Sequence, residues 1–357
     1  MPDLEWVRLL RPDIVLRLRV ANNQSVATDS PHMQLVQLPH STIFKDYTPL
    51  EVPLRTLFFD LSTGAQAPSW YEGFDGVYHY WWVRTGSIPA NSYIDLLLLF
   101  RSTEVVLDGS KAGLNYHYAA LNSLPTNLDN GSSVFIFYNN GTSLLPGQYI
   151  SAGSISVASL AGIAGMFPSA IKLVNTYSTP GANAATWVTN YISPTTTPSL
   201  DLPSRFIAQS YVYLDASAGL LDLLTNLTGY QGQFYVFRLD MRSGNYNNIS
   251  YYPAGATVGA TLCSTTTTSS VRRWYLLTGV NNNDTLTIYW NSGAVGSYPA
   301  SFLGSLGTVG CTAAGKGYTG GGVGITTDGY QETVYCAMIV VRDYPPNGIM
   351  PVVTLVG

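Results

Sequence analysis

Leu16-Arg17-Leu18-Arg19-Val20 alternates apolar and charged side chains residue by residue. A period of two puts every second side chain on one face, so the stretch reads as a half-buried β-strand. Tyr80-Trp81-Trp82-Val83-Arg84 is rich in residues that favour sheets. Leu96-Leu97-Leu98-Leu99, inside Tyr93–Phe100, is a short continuous run suited to a strand covered on both faces. Further strands are expected at Leu57–Leu61, Val134–Tyr138, Ser210–Leu214, Phe234–Leu239, Trp274–Thr278, Thr285–Trp290, Gly322–Thr326 and Thr333–Val341. Clusters such as Asn281-Asn282-Asn283-Asp284 supply the turn chemistry between them. Helix is expected only at Pro2–Leu10 and, weakened by Gly219, at Ala216–Leu227. The fold class is therefore all-β, two β-sandwich domains with a short N-terminal helical arm. No repeat of about 20 to 50 residues is visible, which argues against propellers and solenoids.

Charged residues make up 11% of the 357-residue chain, against about 25% in ordinary soluble proteins. Hydrophobic residues stand at 46%, with 34 Gly and 25 Tyr. A chain this apolar and aromatic buries enough surface to meet the ordering entropy, so disorder is disfavoured. A net charge of -4 with 17 Lys and Arg disfavours a phosphate-binding face and hence a nucleic-acid partner. A surface of hydroxyls, amides and phenols has few carboxylates to lose in acid. Stability is accordingly expected to change little between about pH 7 and 3, and an exterior setting is favoured. Met1 to Val20 carries seven charged residues and lacks the apolar core of a signal peptide. The nearly uncharged reach 130–200 is interrupted by Gly, Ser, Pro and Asn, so membrane insertion as a helix is not expected.

A composition change near Asn139–Gly147 suggests a boundary: all four histidines precede it, and of five Glu only Glu332 follows. The expected division is an arm over 1–13, a β-sandwich over 14–142 and a second β-sandwich over 143–357. In the arm, Leu4, Trp6, Val7 and Leu10 form an apolar stripe after Pro2, and Pro12 stops the helix. So short a helix needs a partner, either its own domain or a neighbouring subunit on which it acts as an assembly clasp.

Cys263, Cys311 and Cys336 lie in the last hundred residues without a C-x-x-C pair, so a zinc ribbon is excluded. Cys336 sits in an apolar strand while Cys263 and Cys311 flank loop-like sequence, and a Cys263–Cys311 disulfide is favoured over three free thiols. Gly310-Cys311-Thr312-Ala313-Ala314-Gly315-Lys316 has the spacing of a phosphate-binding loop, but Gly317 stands where a hydroxyl is needed and no helix can follow. A glycine-rich loop between strands is the better account. The histidines show no metal-ligating spacing, no nucleophile elbow occurs, and the dispersed Asp215, Asp222, Asp240, Asp284 and Asp328 nominate no pair of catalytic carboxylates. The sequence therefore points to a non-enzymatic protein without a metal or cofactor.

Binding survives this elimination. Aromatic rings stack on sugar faces and anchor interfaces. Loops around Asn281–Asp284 and Tyr318–Asp328 offer amides, carboxylates and a tyrosine, which makes Asn283, Asp284, Tyr318 and Asp328 the candidate ligand-binding residues, with solvated turns as the plainer alternative. Sequons at Asn23, Asn130, Asn140, Asn226, Asn248 and Asn283 are candidate glycosylation sites.

Several stretches carry a resemblance. They are Val20-Ala21-Asn22-Asn23-Gln24-Ser25, Trp70-Tyr71-Glu72, Trp82-Val83-Arg84 followed by Ile88-Pro89-Ala90-Asn91, and Asp129-Asn130-Gly131-Ser132-Ser133-Val134-Phe135. The first 140 residues, in which they fall, resemble an uncharacterised β domain of archaeal surface and viral proteins that stands beside a concanavalin-A-like lectin module. Arg273-Trp274-Tyr275, Thr285–Asn291 and Arg342–Pro351 are similar to that lectin- or glucanase-type partner. The resemblance implies jelly-roll or concanavalin-A-like sandwiches. With the composition, it points to a virion surface protein of a hyperthermophilic archaeal virus acting in assembly and host attachment. Its expected partners are other virion or surface-layer subunits, in a homo-oligomer, and a host-surface glycan or pilus. The alternative is an archaeal cell-surface adhesin or carbohydrate-binding protein; a glycoside hydrolase is third.

Overall fold

A computed structural model describes residues 10–105, 112–114, 128–150, 153–160, 167–176, 186–189, 201–215, 219–228, 232–242, 244, 246–256, 258–267, 269–293, 303–327 and 331–356. The described chain is almost all β and divides into two compact units, 137–342 and the residues on either side of it.

The first unit holds two sheets over one core. Strands β1 (Pro12–Asn22), β3 (Thr56–Asp60), β4 (Gln66–Ala67), β7 (Ser92–Arg101) and β24 (Val352–Val356) make a sheet of order β24-β1-β7-β3-β4. Strands β2 (His32–Pro39), β5 (Ser69–Phe74), β6 (Tyr78–Thr85) and β8 (Ala112–Leu114) make the other, of order β2-β6-β5-β8. Leu18, Val20, Phe58 and Leu98 of the first sheet and Val36, Tyr71, Trp81 and Val83 of the second share the buried cluster. Alternation in β1 works as its sequence requires: Leu18 and Val20 are buried, while Arg17 and Arg19 turn out to Asp95 at 2.5 and 3.1 Å. Leu96–Leu99 lies on the central β7 and is buried throughout.

The aromatic and amide side chains of Asn22, Trp70, Trp82 and Phe135 are fixed by specific partners here. The Trp70 indole donates to Asp129 at 2.9 Å and that of Trp82 to Glu72 at 2.8 Å, with the Phe135 ring 5.2 and 5.9 Å from the two indoles. The Asn22 amide donates to the carbonyls of Val26, Ile88 and Pro89. Two one-turn helices, α1 (His40–Ile43) and α2 (Glu51–Arg55), lie between β2 and β3, and a third, α3 (Gly131–Val134), follows β8. The strand expected over Val134–Tyr138 is thus corrected: Val134 ends α3, and strand β9 (Phe137–Asn139) begins only at Phe137.

The domain limits need correction as well. The boundary read at 142/143 falls at 136/137, and residues 343–357 leave the second domain for the first unit. Asp343 accepts the Met33 N–H at 2.9 Å and meets His32 Nδ1 at 2.5 Å, Gln34 donates to Pro351 O at 3.1 Å, and β24 then pairs antiparallel with β1. Composition is silent on this return, because a five-residue edge strand looks the same whichever sheet receives it.

The second unit is a larger pair of sheets. One has the order β10-β13-β22-β15-β16-β17-β18 and consists of β10 (Gly147–Ile150), β13 (Thr186–Thr189), β15 (Leu220–Leu227), β16 (Phe234–Asp240), β17 (Asn248–Tyr252), β18 (Ala260–Ser264) and β22 (Gly322–Thr327). The other has the order β11-β12-β23-β14-β19-β20-β21, with β9 also paired to β23. Its strands are β11 (Gly153–Ser159), β12 (Ser169–Asn175), β14 (Arg205–Leu214), β19 (Trp274–Asn282), β20 (Thr285–Ser292), β21 (Thr308–Ala314) and β23 (Glu332–Asp343). The sheets face one another where Phe237 of β16 lies against Gly279 of β19: a Cβ at 279 would come within 2.5 Å of the ring. The helix expected at Ala216–Leu227 is corrected to strand β15 over 220–227, while 216–218 lie outside the described residues. Every residue of β15 is buried, so its apolar residues follow no period of two, and a short run of this kind reads equally well as helix.

Candidate functional site

Strands β19 and β20 pair Asn282 with Thr285, leaving Asn283 and Asp284 as a two-residue turn with φ of 49° and 66°. Two left-handed residues in sequence give the type I′ geometry that matches strand twist, and Asn and Asp tolerate it. The Asp284 N–H donates to Asn281 Oδ1 at 2.9 Å, fixing the turn from within.

Asp284 then anchors the loop between β21 and β22. Its carbonyl accepts the Gly315 N–H at 2.7 Å, and its Oδ2 accepts the Gly317 N–H at 2.8 Å. Its Oδ1 accepts the Tyr235 hydroxyl at 2.5 Å. The phenol oxygen of Tyr235 in turn accepts the N–H groups of Lys316 at 2.6 Å and Tyr318 at 3.2 Å. One buried phenol and one carboxylate therefore hold three consecutive loop residues, Lys316, Gly317 and Tyr318, and the Asp284 backbone carbonyl holds Gly315 before them. Burial first, and then the Asp284 carboxylate, push the Tyr235 phenol up to about 12. Gly315 is required by space, since a Cβ there would lie 1.9 Å from Asp284 Oδ1 and 2.5 Å from the Tyr235 oxygen. The phosphate-loop spacing thus falls on strand β21 and this clamp.

Held this way, the Tyr318 ring stacks on Tyr235 at 4.8 Å and 25°, and Tyr251 meets it edge-on at 6.4 Å. Tyr251 stands directly opposite Tyr235 in the β16–β17 ladder, so both rings point to the same face. The Lys316 ammonium lies 5.0 Å from the Tyr251 ring centre. Tyr235 is buried, Tyr318 and Tyr251 are half-buried and Lys316 is exposed. The result is an aromatic surface, rigid from behind and open in front, edged by a cation.

Alternation sends the neighbouring pair to the opposite face of the same hairpin. There Phe234 and Tyr252 stack at 4.6 Å and 10°, with Gly259 leaving room for the Tyr252 ring. Further along that face the carboxylates are occupied. Arg238 grips Asp222 at 2.8 and 2.6 Å, and Arg242 grips Asp240 at 3.0 and 2.7 Å. Glu332 accepts the Leu220 N–H at 2.8 Å and the Thr327 hydroxyl.

Of the four candidate ligand-binding residues, Asp284 and Tyr318 come together through Tyr235, Asn283 is exposed at the tip of the same turn, and Asp328 lies outside the described residues. Tyr235, Tyr251 and Lys316 were not singled out from sequence. The available signal was the spacing of the two tyrosines about one hairpin, which register alone turns into a pair. Cys263 of β18 and Cys311 of β21 form a disulfide that joins the edges of the two sheets, with Cα atoms 6.1 Å apart. Cys336 is a buried free thiol, pushed up to about 12 by burial. Asn23 and Asn283 are exposed and Asn130, Asn140 and Asn248 half-buried. Asn226 is corrected as a glycan acceptor: it is buried, and its amide donates to Gly320 O at 3.0 Å. Leu4, Trp6 and Val7 of the arm lie outside the described residues, and Leu10 packs against the first unit's core. Among the described residues no three His, Cys, Asp or Glu side chains gather as a metal site.

No protein-family model matches the sequence, and no curated protein matches it. Among solved structures, the carbohydrate binding module CBM66 from Bacillus subtilis overlaps 56% of this chain and 97% of its own, at 12% identity and a TM-score of 0.39. A β-1,3-glucanase from Mycobacterium marinum overlaps 58% and 98% at 9% identity and a TM-score of 0.33. The CBM2 module of the evolved Dit protein of Lactobacillus casei BL23 phage J-1 overlaps 59% and 96% at 12% identity and 0.32. Overlaps this loose assign no activity.

Proposed function

We propose that the second unit binds glycans through the rim formed by Tyr318, Tyr251, Asp284 and Lys316, without turning them over. The observation that carries this reading is the Tyr318 ring, half-buried but backed by Tyr235 on a loop held by three backbone hydrogen bonds to side chains. A ring fixed before binding loses little freedom on stacking against a sugar face, so more of the contact appears as affinity. Binding in preference to hydrolysis is supported by the state of the carboxylates. Asp222, Asp240, Asp284 and Glu332 are each engaged by structural donors, whereas a hydrolase needs two of them facing one cleft.

The low charge of the chain supports display on an exterior surface, a virion or a cell envelope, with host attachment as the use of the site. Screening the purified chain and its Tyr318→Ala variant on an oligosaccharide array tests the binding. Hits that vanish with the ring support the reading, and hits unaffected by its loss, or none at all, oppose it. Antibody labelling of intact particles and cells tests the setting.

A further inference from the structure

In the first unit a hydrogen-bond chain runs from the buried phenol of Tyr71 through His79 to half-buried His40. The Tyr71 oxygen lies 3.0 Å from His79 Nδ1, and His79 Nε2 lies 3.0 Å from His40 Nδ1. The His79 ring is fully buried, stacked on Phe74 at 4.6 Å with Phe44 and Trp81 around it. The titratable groups facing it are Tyr71 of β5, His40 of α1 and Asp75 of the β5–β6 turn; opposite it β2 presents Leu38. Asp75 is taken up by the N–H groups of Val77 and Tyr78 and by the Tyr80 hydroxyl. Burial, and then His40, hold His79 down to about 3.

A neutral imidazole has one N–H and one bare nitrogen, so the hydrogens along such a chain must all point one way. A phenol is a stronger acid than a neutral imidazole N–H and so the better donor. In the uncharged chain Tyr71 therefore donates to His79 Nδ1, His79 donates from Nε2 to His40 Nδ1, and His40 carries its hydrogen on Nε2. A charged His40 carries hydrogens on both nitrogens, and its Nδ1–H would then confront the Nε2–H of His79.

We propose that protonation of His40 reverses this chain, so that His79 changes tautomer while staying neutral and Tyr71 changes from donor to acceptor. One proton is taken from water. The Nε2 hydrogen of His79 ends on His40 Nδ1, and the proton from water ends on His79 Nδ1. His40 also donates its own N–H to Val77 O at 2.9 Å and accepts the Phe44 N–H at 2.8 Å. The reversal thus runs from α1 to the buried phenol of β5, an acid-sensitive device separate from the glycan rim.

Side-chain nitrogen NMR of the full chain, titrated from about pH 8 to 4, tests this across the range in which histidine charge ordinarily changes. The expected result is a His79 with bare Nδ1 at the upper end that gains hydrogen on Nδ1 and loses it from Nε2 as His40 charges, with no imidazolium signature at position 79. A His79 that keeps one tautomer throughout, or that takes charge within this range, overturns the proposal.

Discussion

The Tyr235 phenol donates to the Asp284 carboxylate at 2.5 Å while accepting the N–H groups of Lys316 and Tyr318. A side chain from one sheet thereby fixes a turn of the other and the loop that joins the two, and the half-buried ring of the candidate site rides on that loop.

Replacing Tyr235 by Phe keeps the ring stack but leaves the carboxylate and two N–H groups short of a partner. A lost hydrogen bond to a charged group costs about 1.5–3 kcal/mol. Hydrogen exchange should accelerate at residues 315–318, and glycan affinity should fall with it. Unchanged exchange there would mean that the phenol does not hold the loop.

The Cys263–Cys311 bond closes a loop with a sequence separation of 48, and in the chain-entropy account such a closure contributes about 4 kcal/mol. A Cys263→Ser/Cys311→Ser double variant should show a lower urea midpoint by a corresponding amount. Equal midpoints would show that the two sheet edges are held without the bond.

Acid should weaken the protein despite its few carboxylates, contrary to the expectation from composition. His79 is held at about 3 in the folded chain, against about 6.5 in an unfolded one. The unfolded state therefore binds the extra proton first as pH falls. Stability is complete above about pH 6.5 and is lost toward pH 3, by up to about 1.4 kcal/mol per pH unit. Burial would raise Asp95, but Arg19 and Arg17 hold it below its ordinary value, which adds a further loss at the acid end of the range. Thermal melts from pH 7 to 4 should show a declining midpoint that flattens in His79→Phe; a level wild-type profile would contradict this.

Much of the fold was legible because strands announce themselves by period and by turn residues. Leu16–Val20 and Leu96–Leu99 were readable for opposite reasons, one half-buried and one covered on both faces. Leu220–Leu227 was not, since burial on both faces erases the period that separates strand from helix. The return of β24 to the first sheet was invisible because pairing is a long-range choice. At the site, Asp284 and Tyr318 were found because turn residues lie at rims. Tyr235 was missed because its role depends on the register that sets it beside Tyr251 and on the approach of a loop about eighty residues later in the chain.

The most direct measurement is calorimetric titration of the wild-type chain and its Tyr318→Ala variant with the best glycan from an array, alongside thermal melts of both. Removing the ring should weaken binding at least about tenfold, or about 1.4 kcal/mol, while the melting temperature moves little, because Tyr318 is half-buried and its backbone bonds remain. Equal affinity for the two proteins at equal stability would contradict a glycan site at this rim.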